Sequence, residues 1–399
     1  MVYRWLAVLL MMPAFAAAQD ETPETEEAAD PPVDQAETDE DAPVPLLRDL
    51  DVIDAATQDA ALGTGPADLD ETPVPQGDVQ EIFNRAQLAY ATGDYEAAYV
   101  HARTAAAGGH AQAASLAGLM HDDGQIEAAS DEQAARWYRR AASQGEPVGN
   151  YRLGLMAQQG RGRLLETEAR NFFYRAAQAG YVPAMLSYAL VLKASPVPQD
   201  ADLALEWAER AATQDNSEAM FQLAQMLDVW AGGPESPEAA RPWYERAGEA
   251  GHAEAALQAG LMAASGEGGP QDDEAALRYI RLSAESGFAP AMGQYGLMLY
   301  SGWNGAEPAP ALAAEWFAQG AVGGDSESRY LYALALATGD GVERNLVRAY
   351  YWALMAEYEM DGSRAYNTDR DRLEAQLENA LSASEANRIQ SEVTAYRSR

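Results

Sequence analysis

Residues 150–162 read NYRLGLMAQQGRG, and residues 134–145 read AARWYRRAASQG. The first string is an apolar helix face that runs into a glycine-broken loop. The second is a helix with Ala134, Trp137 and Tyr138 in helical phase, closed by Gly145. Glycine just past a helix end takes the left-handed conformation that closes the helix. The second string returns as ARPWYERAGEAG at 240–251. Its closing glycine recurs at Gly109, Gly145, Gly180, Gly251, Gly287 and Gly324, with Asp215 in the one missing place. Successive markers are 36, 35, 35, 36, 36 and 37 residues apart, the period of a helical repeat array.

Reading outward from each marker gives further rows in register. Four residues later stand Ala113, Gly149, Ala184, Ala219, Ala255, Ala291 and Ser328. Nine residues later stand Gly118, Gly154, Ala189, Ala224, Gly260, Gly296 and Ala333. Eight residues before the marker the side chain is aromatic: Trp137, Phe172, Trp207, Trp243, Tyr279 and Trp316, continued by Trp352. The spacing predicts a helix A from about four to eleven residues after the marker, a loop such as SGEGGPQDD or TGDGVERN, then a helix B ending on the next marker. The small residues let helix A approach its neighbour closely, and the aromatic at Trp137 and its equivalents is expected to fill the wedge. One hairpin has too little core alone, so stacking must supply the rest.

This pattern, A-x-x-x-L-G-x-M, a Gly-containing loop, then A-x-x-W-Y-x-R-A-A-x-x-G, resembles the Sel-one-like repeat (SLR) family, a relative of the tetratricopeptide repeat. The resemblance covers residues 111–360. It implies an all-α fold: a right-handed α/α solenoid of about seven SLR- or tetratricopeptide-like hairpins with capping helices. It also implies scaffold work, with a partner protein or peptide held on a concave face lined by helix A. The shared motif is structural, so no activity carries over with it. Departures are Pro196 and Pro198 in place of loop glycines, Asp215 at a marker, and the loop DVWAGGPESP.

The rest of the chain is organised around this array. Residues 1–18 have the anatomy of a secretory signal peptide: Arg4, an apolar core from Trp5 to Phe15, and Ala16-Ala17-Ala18 before Gln19. Cleavage is expected after Ala18, giving a periplasmic or secreted protein with no membrane span after cleavage. Residues 19–77 hold 18 acidic residues, eight prolines and one basic residue, Arg48, the composition of a disordered linker. Within it Leu46, Leu50, Ile53, Thr57 and Ala60 fall at helical spacing; a transient helix in a spacer is the simpler reading, and docking on a partner or on the chain's own groove the other. Residues 78–109 form a shorter capping hairpin turning at Thr92-Gly93-Asp94, residues 110–362 the array, and residues 363–399 two capping helices. Thr368 is an expected N-cap, and Ser382 to Glu385 fits a capping box.

Composition narrows the chemistry. A formal net charge of −35 disfavours nucleic acid and anionic lipid as partners. With no cysteine there are no disulfides, thiolate nucleophiles or zinc–thiolate sites. Lys193 is the one lysine, so lysine chemistry would rest on it alone. His110 and His252 each follow a marker, a repeat position where other units carry different residues, and no histidine pair has metal spacing. Met120, Met156, Met226, Met262 and Met298 stand eleven residues after their markers, in core phase. No cofactor, metal or catalytic residue is assigned.

One row is polar. Arg152, Ser187, Gln222, Gln258 and Gln294 stand seven residues after successive markers and are the candidate partner-binding residues. A non-catalytic protein-binding scaffold or envelope signalling regulator is the leading expectation. The alternative is a cell-wall glycan-acting enzyme or its accessory factor, which needs paired carboxylates across a cleft.

Overall fold

The computed structural model describes residues 77–229, 236–356 and 368–397. Among them are 18 α-helices and no strand. The expected signal peptide, the acidic linker and most of the loop DVWAGGPESP lie outside the described residues. The chain divides into two compact units, one up to Ala117 and one from Gly118 onward.

The first unit holds α1 (Val79–Ala91), α2 (Tyr95–Ala107) and the start of α3 (Ala111–Asp122). Asp78 and Asp94 cap α1 and α2 by accepting the Gln80 and Ala97 N–H groups at 2.9 and 3.1 Å. Phe83, Ala86, Ala98, Ala102, Ala105 and Ala106 bury the seam between the two helices.

The second unit continues through α4 (Asp131–Ser143), α5 (Pro147–Gln158), α6 (Ala169–Gln178), α7 (Val182–Lys193), α8 (Gln199–Ala212) and α9 (Ser217–Asp228). It goes on with α10 (Pro237–Glu249), α11 (Ala253–Ser265), α12 (Asp273–Glu285), α13 (Ala289–Ser301) and α14 (Pro310–Val322). Then come α15 (Ser326–Thr338), α16 (Leu346–Ala356), α17 (Thr368–Ala380) and α18 (Ala383–Arg397). From α4 to α16 each helix packs on the next in sequence, and α17 and α18 both pack on α16. That is the connectivity of a solenoid, in which contacts are local and stability sums over neighbours.

The small-residue row does what its spacing predicts. A Cβ placed on Gly118, Gly154, Gly260 or Gly296 would lie 2.5–2.7 Å from a side chain of helix B in the same hairpin. The partners correct the expectation, because they are Tyr138, Phe173, Ile280 and Phe317, one residue beyond the predicted aromatic row. These four are 0–2% exposed; of the expected row, Trp137, Phe172, Trp207 and Tyr279 are also buried, and Trp243, Trp316 and Trp352 are half-buried. Where the helix A residue is alanine the matching helix B place varies: Ala208 and Ala353 stand opposite Ala189 and Ala333, whereas Tyr244 stands opposite Ala224. All four of the alanines at 189, 208, 333 and 353 are buried, and so are Ala224 and Tyr244.

The Trp row has a different place. Arg210 stacks on Trp207 with its guanidinium carbon 4.1 Å from the ring centroid, Arg246 on Trp243 at 4.5 Å, and Arg140 on Trp137 at 5.8 Å. The arginine three residues on is the R of the W-Y-x-R motif, a cation–π contact across one helical turn.

The marker glycines sit at φ from +82° to +97°. Asp215 keeps the same left-handed turn at φ +55°. That conformation costs an L-residue about 1–2 kcal/mol, less for Asp. Its ion pair with Arg246, at 3.8 Å and largely exposed, returns little. Asp215→Gly is therefore expected to stabilise the array by up to about 1 kcal/mol, read as a higher urea midpoint. Among the caps, Ser382 and Glu385 form the expected reciprocal box: Ser382 N–H donates to the Glu385 carboxylate at 3.0 Å, and Glu385 N–H to Ser382 Oγ at 3.3 Å. Thr368 is the first residue of α17, one place inside the helix end expected for it.

Candidate interaction surface

Helix A of each repeat turns two rows outward. One is the polar row; the other stands three residues further along as Leu155, Leu190, Gln225, Leu261, Leu297 and Leu334. Three and four residues apart on a helix is one face, so the two rows run side by side, polar beside apolar except at Gln222 with Gln225 and Leu331 with Leu334. Their depth changes along the array. On α5, α7 and α9 the residues Arg152, Leu155, Ser187, Gln222 and Gln225 are half-buried, and Leu190 is 37% exposed. Further on, Gln258 is half-buried, but Gln294, Leu261 and Leu297 are buried.

The cause of that closure is on α13. Gly293 has no side chain, and a Cβ there would lie 2.6 Å from Ser328 Oγ of α15. The two A helices therefore touch directly, and Gln294, next to Gly293, is left 7% exposed. The polar row is continuous in register, but only its members on α5, α7 and α9, with Gln258, keep accessible surface.

These side chains are held by neighbours. Gln222 Nε2 donates to Glu218 Oε1 at 2.9 Å, and the other Glu218 oxygen lies 3.2 Å from His252 Nε2 on the next helix A. Arg152 lies 4.0 Å from the Asp122 carboxylate. Asp122 also takes Arg161 at 2.8 Å and accepts the Tyr138 hydroxyl at 3.2 Å. Burial, reinforced by the Asp122 charge, pushes the Tyr138 phenol far up, so it stays a donor. Tyr151 and Tyr181 meet edge to face at 5.2 Å beside this group, and burial raises the Tyr181 pKa. Lys193 ends α7, and burial lowers its pKa.

The frame behind the surface is stiff. Arg170 bonds both Asp200 oxygens, at 2.7 and 2.8 Å, from one helix B to the next. Trp303 Nε1 donates to Asp273 O at 3.1 Å, and Ser283 Oγ to Ala253 O at 2.6 Å. Each of these ties spans 30 residues, slightly less than one repeat.

The position after each marker is a helix N-cap. His110 Nδ1, Glu146, Asn216 Oδ1, His252 Nδ1 and Asp325 accept the N–H three residues on, at 2.7–3.2 Å. Tyr181 and Phe288 stand there without a capping bond, and in both cases proline follows two residues later and removes one donor that a helix start leaves unmet. The histidines are thus capping residues, a role the sequence carries in the alternation of His, Glu, Asn and Asp at one register. The five methionines of the core row are 0–4% exposed. Among the described residues, no group of three or more His, Asp or Glu is placed to hold a metal ion. No helix among them is long and apolar enough to cross a membrane.

A family model described as Sel1 repeat matches the chain at 111–146, 147–181, 182–216, 217–252, 253–288, 289–325 and 326–357. Every unit begins two residues after a marker. The chain is 31% identical over 160 residues to the uncharacterized protein NMB1327 of Neisseria meningitidis serogroup B, a match covering 40% of this chain and 32% of that protein. It thus spans about a third of that relative's length. Two solved structures are similar at 26% identity. One is c5321, a protective antigen of uropathogenic Escherichia coli strains with an SLR fold, at a TM-score of 0.65 over 80% of this chain and 69% of that one. The other is a Sel1 repeat protein from Oxalobacter formigenes, at 0.61 over 76% and 88%.

Proposed function

The chain belongs to the Sel1 repeat family, whose members are generally protein-interaction scaffolds, and from that premise we propose that it is an exported scaffold for a partner protein in envelope signalling. The partner lies across α5, α7 and α9. The observation that carries this reading is the accessible polar row on those three helices, Arg152, Ser187 and Gln222, with Leu155 and Leu190 beside the first two and Gln225 beside the third. Polar groups at one-repeat intervals suit an extended partner segment, whose backbone offers donors and acceptors at regular spacing, and the leucines receive its apolar side chains. The net charge of −35 favours a neutral or basic segment.

Export is supported by the charged start, short apolar core and Ala16-Ala17-Ala18 site of residues 1–18. The likeness to a protein described as a protective antigen agrees with it. Fractionation of cells expressing the tagged full chain tests this part: recovery in the cytoplasm with the first 18 residues intact sinks it.

A photo-reactive residue at Leu190, used in the living cell, tests the binding part. Capture of one discrete protein is expected, with the yield falling about tenfold or more when Gln222 and Gln258 are changed to Ala, the loss of one or two hydrogen bonds. Capture unchanged by those substitutions, or none from Leu190 while Val322 on a B helix captures the same protein, places the partner elsewhere.

A further inference from the structure

From Ser286 to Gly324 the chain has only two charged residues, Glu307 and Glu315. The B helices α4, α8, α10 and α12 carry five charged residues each, and α14 carries one. The outward side of α14 is charge-poor in consequence, with an apolar residue towards each end. Leu312 is 43% and Val322 77% exposed, with Glu315 and Gln319 exposed between them. The inward side, Ala313, Ala314, Phe317, Gly320 and Ala321, is fully committed to the core.

The outward residues Leu312, Glu315, Gln319 and Val322 are spaced three, four and three apart, the seam spacing of a helix that packs on another helix. The seam is also its own complement. In an antiparallel pair centred on position 317, Leu312 meets Val322 of the partner subunit, and the Glu315 carboxylate accepts from Gln319 of the partner subunit. A seam that matches itself under a two-fold rotation is what an isologous contact requires.

We propose that the outward face of α14 is a self-association surface, occupied by α14 of a second copy of this chain. Charge favours the second copy at this place: with −35 on each chain, two copies repel wherever charged faces meet, and α14 has one charged residue, as has α16, but α16 is packed by α17 and α18. α14 has 13 residues, a seam about 20 Å long. That is short for a permanent dimer, so the association is weak and concentration-dependent. Salt screens the repulsion between the remaining faces, so association strengthens as salt rises.

Sedimentation equilibrium of the full chain at rising concentration, in low and high salt, tests this. The mean mass is expected to climb from one chain towards two, more so in high salt, and Val322→Glu is expected to weaken the association at least about tenfold with thermal unfolding unchanged. The absence of cysteine gives a second readout. Under mild oxidation, Leu312→Cys mixed with Val322→Cys should give a disulfide-linked pair. Val322→Cys alone should give little, because an antiparallel seam sets the two copies of that residue at opposite ends. One chain mass at every concentration and salt overturns the proposal, as does linking by Val322→Cys alone as strong as in the mixture.

Discussion

Phe173→Ala should lower the stability of the array by about 3–5 kcal/mol, and Gly154→Ala by about 1–3 kcal/mol, yet the two together should cost less than their sum. Phe173 is fully buried, and its ring edge sits where a Gly154 Cβ would be, 2.5 Å away. Removing the ring leaves a cavity; adding the methyl overfills an intact site. Made together, the methyl enters part of the space the ring left, and the pair becomes the alanine–alanine match already present at Ala189 with Ala208 and at Ala333 with Ala353. A coupling of about 1 kcal/mol or more in a double-mutant cycle is the expected result. Urea unfolding followed by circular dichroism gives the four values. Strict additivity would mean that the two positions do not share a site.

Arg170→Ala should cost about 2–3 kcal/mol at neutral pH, below the 3–5 kcal/mol of a fully buried pair because Arg170 keeps contact with water. The Asp200 side chain is 8% exposed against 38% for Arg170, so the deletion strands the buried carboxylate. Arg170→Lys should recover little, because a single ammonium cannot span both carboxylate oxygens. The hydrogen bonds from Arg170 hold the Asp200 pKa below its ordinary value. A carboxylate depressed in the folded state contributes its stability above its unfolded pKa and loses it as the pH falls through the folded value. The gap between the natural chain and Arg170→Ala should therefore be full at pH ~7 and narrow below pH ~4. Arrays of this kind need not unfold in one step, so the local reporter is Trp207, which meets Tyr188 at 5.6 Å beside the pair. A gap that stays constant into acid would locate the effect of Arg170 in its packing.

Much of this was legible in the sequence because its causes repeat. The left-handed turn at each marker demands glycine, and Asp215 keeps the turn without it, so one row of residues counts the hairpins. The choice between Trp137 and Tyr138 was not legible from periodicity. Both are aromatic, they are adjacent, and both are buried, one against the notch in helix A and the other beneath an arginine. The signal that separates them is size: large side chains at 138, 173, 280 and 317 stand against glycine and alanines at 208 and 353 against alanine, with Tyr244 opposite Ala224 as the departure. The depth of the polar row depends on how closely the next repeat closes over it. Gln258 and Gln294 read alike in sequence, and the glycine beside Gln294 decides that it is covered. The charge-poor outer face of α14 was visible as composition, but that Leu312 and Val322 emerge on one side of it is a property of the folded hairpin.

The notch and the side chain that fills it belong to the same hairpin: Gly118 with Tyr138, Gly154 with Phe173, Gly260 with Ile280 and Gly296 with Phe317. Each unit is thus matched within itself, and a whole unit can be duplicated or lost by recombination in phase without separating a notch from its filler. The arginine and hydroxyl ties that reach 30 residues on are particular to their neighbours, and they are what a newly joined pair of units would lack. The hairpin is therefore the unit that can be exchanged, and the seams between hairpins are where a new neighbour would have to be accommodated.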